Sequence, residues 1–146
     1  MGRIILGIVA GFIAWSILWV GSDQLMIMYI PWYGQHQIAF ERAIVNHDVF
    51  TASNTVLLLH TLRSVIISLI SGYIAALVAG ENRRSPLLLG ILLLLFGIFV
   101  QAMAFNYLPI WYHIVFLVLL VPATIIGGKL RRAAIAVPPS GELEEA

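Results

Sequence analysis

Four long apolar runs limit the possible fold more than any other feature of the sequence. They cover about residues 4–30, 55–80, 86–105 and 110–127. An α-helix needs about 20 such residues to cross the roughly 30 Å hydrocarbon core of a bilayer. Because 61% of the chain is hydrophobic and only 10% is charged, a soluble fold of this length could not bury so much apolar surface. The sequence therefore predicts an all-α membrane protein with four transmembrane helices.

The segments between the runs predict how the helices are connected. The second, third and fourth runs are joined by very short turns, which favour antiparallel neighbours in an up-down bundle. Pro31 ends the first run, and residues 31–54 form the only sizeable loop, on the outer side. Apolar residues recur in this loop at helical spacing, so a short amphipathic helix on the membrane surface is expected there. They are Ile38, Phe40, Ile44, Val45, Val49 and Phe50.

The end of the chain differs in composition from the rest. Pro122 lies inside the fourth run, where it should kink the helix or loosen its last turns, and Gly127-Gly128 is the predicted end of that helix. We take residues 1–132 as one transmembrane domain. Residues 133–146 change to a Pro-Pro-Ser-Gly stretch and an acidic end, so a disordered cytoplasmic tail is predicted.

Basic residues are distributed unevenly between the two sides of the predicted bundle. With four spans both termini share one side, and that side carries Arg3, Arg83, Arg84, Lys129, Arg131 and Arg132. The opposite side carries Arg42 and, within a helix end, Arg63. Since basic residues accumulate on the cytoplasmic side of short loops, we expect both termini in the cytoplasm and the protein in the cell inner membrane.

Polar side chains within the runs fall at nearly the same depth. At 1.5 Å per residue each of them lies in the outer third of the membrane, whereas the inner two thirds are almost wholly apolar. The set comprises Asp23, His60, Arg63, Gln101, Asn106 and His113. Ionisable residues inside a membrane are costly and often functional. This polar layer has two interpretations: a structural Asp23–Arg63 ion pair, or a ligand-binding site.

Three chemical roles for the polar layer follow from its residue types. Arg63 with Gln101 and His113 could bind a phosphate or carboxylate, because a guanidinium matches such groups. His60 and His113 lie on different predicted helices and could ligate haem, although their estimated depths differ. No cofactor and no metal site are predicted, since no HExxH motif or His pair at i, i+4 occurs.

No motif in the sequence indicates a reaction. The absence of cysteine excludes disulfides, iron–sulfur clusters and thiolate metal sites. Ser64 lacks the context of a nucleophile elbow, so no catalytic residue is assigned and an enzyme is not the expected class. A net charge of +1 without basic patches gives no reason to expect nucleic-acid binding.

Two function hypotheses remain from the sequence. The first is an accessory or scaffold subunit that works by helix packing, through self-association or within a larger membrane complex. It depends on small-residue helix faces, such as that of the second run, which suit close helix contacts. The alternative is a lipid or small-molecule binding protein, or a carrier, with its site in the polar layer around Arg63 and His113.

Overall fold

The computed structural model describes residues 1–136, with side chains to residue 131. These residues form five α-helices and no strand. The helices are α1 (Gly2–Tyr29), α2 (Pro31–Asn46), α3 (Asn54–Ala79), α4 (Arg84–Met103) and α5 (Ile110–Ala136). Four of them, all except α2, are long and apolar enough to cross a membrane. The fold is thus all-helical, with the four membrane-spanning helices that the sequence predicts.

The last helix is longer than predicted. It continues without interruption through Pro122 and past Gly127 and Gly128 to Ala136. The predicted end of this helix at residue 127 is therefore wrong, and residues 133–136, which the sequence assigns to the tail, are helical. The two glycines are explained by packing: a side chain on Gly127 would meet the backbone of Leu69, and one on Gly128 would meet Pro86. Residues 137–146, the rest of the predicted tail, lie outside the described residues.

Helix α2 lies in the segment predicted to be the outer loop. The residues that it buries differ from the apolar residues that the sequence assigns to its membrane-facing side. Its buried residues are Tyr33, Gly34 and Ala43. Of the residues assigned to its apolar face, Val45 is exposed. Gly34 lies against the Ile27 carbonyl of α1, so the chain turns back sharply after Pro31. The physical reason for the difference is that α2 contacts the bundle through Tyr33 and Gly34 in its first turn and through Ala43 in its last turn.

Helix α3 is the central helix, since α1, α4 and α5 all pack against it. Most of its buried residues are small or polar, in agreement with the small-residue face predicted for this run: Arg63, Ser64, Ser68, Ser71, Gly72, Ala75, Ala76 and Ala79. The opposite face exposes Leu62, Ile66, Ile70 and Leu77. Small side chains let neighbouring backbones approach closely, whereas the exposed aliphatic side chains suit lipid.

Glycines mark the closest helix contacts. Gly7 and Gly11 of α1 lie against Ala75 and Ala79 of α3. Gly72 lies against the backbone of Thr124 in α5. At each of these positions a methyl group would collide with a neighbouring helix, so glycine is required by space.

The turn between α3 and α4 is closed by an acidic side chain. The Glu81 carboxylate accepts backbone N–H bonds from Arg83, Arg84 and Ser85, the first two at 2.9 and 2.8 Å. Burial alone would raise the pKa of Glu81, but these three donors outweigh it and lower the pKa to about 2. The hydroxyl of Ser85 donates to the Ala75 carbonyl of α3 at 3.3 Å.

The contact between α3 and α5 gives a prediction for Gly72→Ala. The added methyl group would meet backbone atoms of Thr124, which cannot rotate away. We expect the substitution to lower the free energy of unfolding by about 2 kcal/mol or more. Thermal unfolding in detergent, followed by circular dichroism, would measure this.

Gly21→Ala is the matched control, because no atom lies within 4 Å of its added Cβ. Replacing glycine inside a helix by alanine stabilises it by up to roughly 1 kcal/mol. Equal unfolding temperatures for the two variants would contradict the close α3–α5 packing.

Candidate functional site

A buried ion pair joins the first and third helices. Arg63 Nη1 donates to Asp23 Oδ1 at 2.7 Å, with Arg63 8% and Asp23 18% exposed. The same nitrogen lies 3.1 Å from the Tyr33 hydroxyl, which belongs to α2. We call Asp23, Tyr33, His60 and Arg63 the polar cluster. It ties α1, α2 and α3 together at the end of the bundle where α2 lies.

The Tyr33 hydroxyl is the centre of this cluster. It donates to Asp23 Oδ1 at 2.5 Å and lies 3.1 Å from His60 Nε2. Arg63 Nη2 lies 3.2 Å from His60 Nδ1, and because a guanidinium can only donate, Nδ1 must accept. His60 therefore fits as the neutral tautomer that donates from Nε2 to Tyr33, an assignment from the hydrogen bonds. Burial and the hydrogen bond to Asp23 raise the pKa of Tyr33 above its usual range, so the phenol keeps its proton.

An aromatic layer lies directly under the polar cluster. The Arg63 guanidinium carbon is 4.3 Å from the ring centroid of Trp19, a cation–π contact. Trp19 stacks on Trp15 at 5.2 Å with the rings 7° from parallel. The indole N–H of Trp15 donates to Ser68 at 3.2 Å. The stacking and the Trp15–Ser68 hydrogen bond hold these two indole rings in place.

A second polar pair joins α4 and α5. His113 Nδ1 donates to Gln101 Oε1 at 2.8 Å, and both side chains are buried. The His113 ring also stacks on Phe105 at 5.3 Å. This bond occupies the amide oxygen of Gln101, and the amide nitrogen of Gln101 makes no bond to the histidine.

A cavity of about 370 Å³ lies between the two polar groups. Its walls are mostly apolar and aromatic, formed by Trp15, Trp19, Leu93, Phe96, Phe116 and Leu120. Its polar lining includes Asp23, His60, Arg63 and Gln101, and residues His36, Gln37 and Phe40 of α2 line it as well. Such a size and a mainly apolar lining with few polar groups are typical of small-molecule sites.

The cavity opens sideways between two helices. Of its lining residues, Val20 on α1 and Phe96 and Val100 on α4 are also exposed on the outside of the bundle. That outside surface is the apolar face of membrane-spanning helices. An apolar molecule could therefore reach the cavity from the lipid phase.

The structure brings four of the six predicted site residues to one cavity. Asp23, His60, Arg63 and Gln101 all line it. His113 lies behind Gln101 and is not among the lining residues, and Asn106 is exposed in the turn before α5. The anion site predicted from Arg63, Gln101 and His113 gains no support, because Arg63 already pairs with Asp23.

Sequence reasoning missed the two aromatic residues that organise the site. Neither belongs to the site residues that the sequence predicts, yet Tyr33 is fully buried and Trp19 lies under Arg63. The available signal was Pro31 directly after the first helix, which turns the chain back and brings Tyr33 towards Asp23.

The histidines offer little to a cofactor in this arrangement. Both ring nitrogens of His60 already have protein partners, so haem ligation would require the polar cluster to open. Nε2 of His113 is buried and without a partner among the described residues. In the part of the chain that the structure describes, no three metal-ligating side chains come together. Haem ligation by His60 and His113 stays a hypothesis without geometric support.

The central position of the hydroxyl gives a prediction for Tyr33→Phe. This change leaves Asp23 and His60 each without one buried partner, so we expect the free energy of unfolding to fall by about 2 kcal/mol. Thermal unfolding in detergent would measure it, and limited proteolysis of residues 47–53 would report loosening of α2.

Tyr29→Phe is the control, because Tyr29 is 74% exposed and its hydroxyl is in no hydrogen bond within the described residues. Equal stability of the two variants would show that the Tyr33 hydroxyl does not hold the cluster.

The chain was also compared with protein-family models, with curated proteins and with solved structures, and none of the three comparisons found a match.

Proposed function

We propose that this protein binds a lipid or another small amphipathic molecule within the membrane. The observation that carries the proposal is the aromatic cavity with one polar end, which reaches the lipid-facing surface between α1 and α4. The apolar part of a ligand would lie against Trp15, Phe96 and Phe116. Its polar head would lie near Arg63 and Gln101.

The composition of the lining supports a ligand rather than a water-filled path. Water is stable in a cavity that offers it several polar partners, whereas apolar cavities stay dry or take apolar molecules. Here most of the lining surface is apolar, and Asp23, His60 and Arg63 already bond to one another. A hydrophobic molecule would gain free energy by filling this space.

The scaffold hypothesis depends on small-residue faces that are free to bind a partner helix. In this chain those faces are engaged internally, since Gly7 and Gly11 contact α3, and Gly72 contacts α5. The surfaces left over are mainly large aliphatic side chains, which suit lipid. Self-association, or a place in a larger membrane complex, stays a prediction, and we rank it second.

We further propose an up-down bundle with both termini in the cytoplasm, in the cell inner membrane. The contacts between α1 and α3 support opposite directions for these helices: Gly7 lies against Ala79, Trp15 against Ser68 and Asp23 against Arg63. The side chain of Arg3 lies near Gly80, in the charged turn after α3. Basic residues thus gather at the end of the bundle that the positive-inside rule assigns to the cytoplasm.

A photoreactive probe would test the binding proposal. We expect a long-chain alcohol with a diazirine in its tail to label Leu93 or Leu120, which line the cavity and are each 1% exposed. The protein would be labelled in native membrane vesicles and the crosslinked residues mapped by mass spectrometry. Val20→Trp narrows the opening and should reduce this labelling several-fold.

Val9→Trp provides the matched control, because Val9 is exposed on the same helix and does not line the cavity. This variant should label like the unmodified protein. Labelling confined to exposed residues, or equal labelling of Leu93 in both tryptophan variants, would contradict a binding cavity.

The proposed orientation can be tested with single cysteines, because the chain contains none of its own. In intact cells a membrane-impermeant maleimide should modify Val49→Cys, in the segment between α2 and α3, and should leave Gly2→Cys unmodified. Val49 is 98% exposed, so access to it is not limited by the fold. The reverse pattern would invert the topology, and permeabilised cells show that both cysteines can react.

A further inference from the structure

We infer that the ligand of this cavity is an electrically neutral amphiphile: an oxygen-bearing head without formal charge on an apolar tail. This inference rests on the proposed binding function and narrows it to one class of molecule. It excludes fatty acids, phospholipids with a net charge, and amines.

The first reason is the charge balance of the cavity. Arg63 and Asp23 are the charged side chains among its lining residues, and they pair with each other at 2.7 Å. Their charges cancel, and the Tyr33 hydroxyl lies against both. An ionic head would enter a low-dielectric site in which no opposite charge is left for it, which costs several kcal/mol per ion.

The second reason is that each histidine in the lining accepts a hydrogen bond at one ring nitrogen, which keeps the ring neutral. His60 Nδ1 accepts from Arg63, so protonation there would break that bond and place two cations together. His36 Nε2 accepts a bond from the backbone N–H of Ser53 at 3.0 Å, and burial lowers the pKa of His36. Neither ring therefore supplies a cation for an anionic head.

The third reason is the kind of polar group that lines the cavity besides the polar cluster. Gln101 is 7% exposed and lines the cavity, and its oxygen accepts from His113. The phenol of Tyr112, which also lines the cavity, lies beside the Gln101 side chain. Amide and phenol donors match a carbonyl or hydroxyl oxygen. Because bonds to uncharged oxygens need no counter-charge, they fit the neutral balance of the site.

Three compounds with the same oleoyl-length tail and different heads test the inference. Monooleoylglycerol is neutral, oleate is an anion, and oleylamine is a cation at a pH of about 9. Each would compete with the photoreactive alcohol for labelling of Leu93 in membrane vesicles, at concentrations corrected for partition into lipid. We expect monooleoylglycerol to compete at least about tenfold better than either ion.

The outcomes separate this inference from the proposed function. If the probe labels Leu93 and oleate or oleylamine competes as well as monooleoylglycerol, the cavity binds ligands but the neutral-head inference is wrong. If the probe does not reach Leu93 at all, the proposed function itself fails.

Two substitutions would change the preference in opposite directions. Asp23→Asn keeps an oxygen that accepts from Arg63 but leaves the guanidinium charge unbalanced, so oleate should become the best competitor, by about tenfold. Arg63→Gln leaves the carboxylate unbalanced and should favour oleylamine instead. A variant in which the probe still labels Leu93 is folded around the cavity. One such variant is enough for the test, so the test does not require both substitutions to be tolerated.

Matched controls carry the same charge changes at exposed positions near the same end of the bundle. Asp48→Asn and Arg42→Gln alter residues that are exposed and do not line the cavity. Both should keep the preference for monooleoylglycerol. If these controls shift the preference as much as the site variants, the effect is one of surface charge and the inference is wrong.

Discussion

The structure depends on one buried ion pair, Arg63 with Asp23. A charged side chain at the centre of a membrane helix costs roughly 2.5–3.5 kcal/mol on insertion scales. Here the charge is paired, hydrogen-bonded to a phenol, and covered by an indole ring. The remaining cost is reduced because the pair lies towards the end of the helices. The ion pair fixes the position of α1 relative to α3, which a purely apolar contact would not specify.

This pair also determines where α2 lies. Tyr33 reaches both charges from the first turn of α2, so a helix outside the four membrane spans is fixed to the polar cluster. Since α2 is fixed there, three of its residues line the cavity. One wall of the cavity is therefore held in place by the same hydrogen bonds. The candidate site and the tertiary fold are held by one set of contacts.

Sequence reasoning succeeded where periodicity and depth determine the result. The four spans, the small face of α3 and the common level of Asp23, His60 and Arg63 all follow from helical geometry. It failed where a residue has two physical uses. Gly127 can end a helix or allow close packing, and only the position of α3 decides between them. Tyr33 can lie at an interface or fill a buried centre, and only the turn after α1 decides.

Positions along this chain differ in how strongly their neighbours limit the side chain that can stand there. Most lipid-facing positions require only an apolar side chain of some kind, so they can exchange Leu, Ile, Val and Phe freely. Positions 72 and 127 have room for hydrogen alone, and the polar cluster needs its four members together. Evolutionary drift should therefore be fast over most of the surface and slow at a few positions. A distant relative would be recognised by that sparse signature, a few tightly packed glycines and one Asp–Tyr–His–Arg set, far better than by its overall identity.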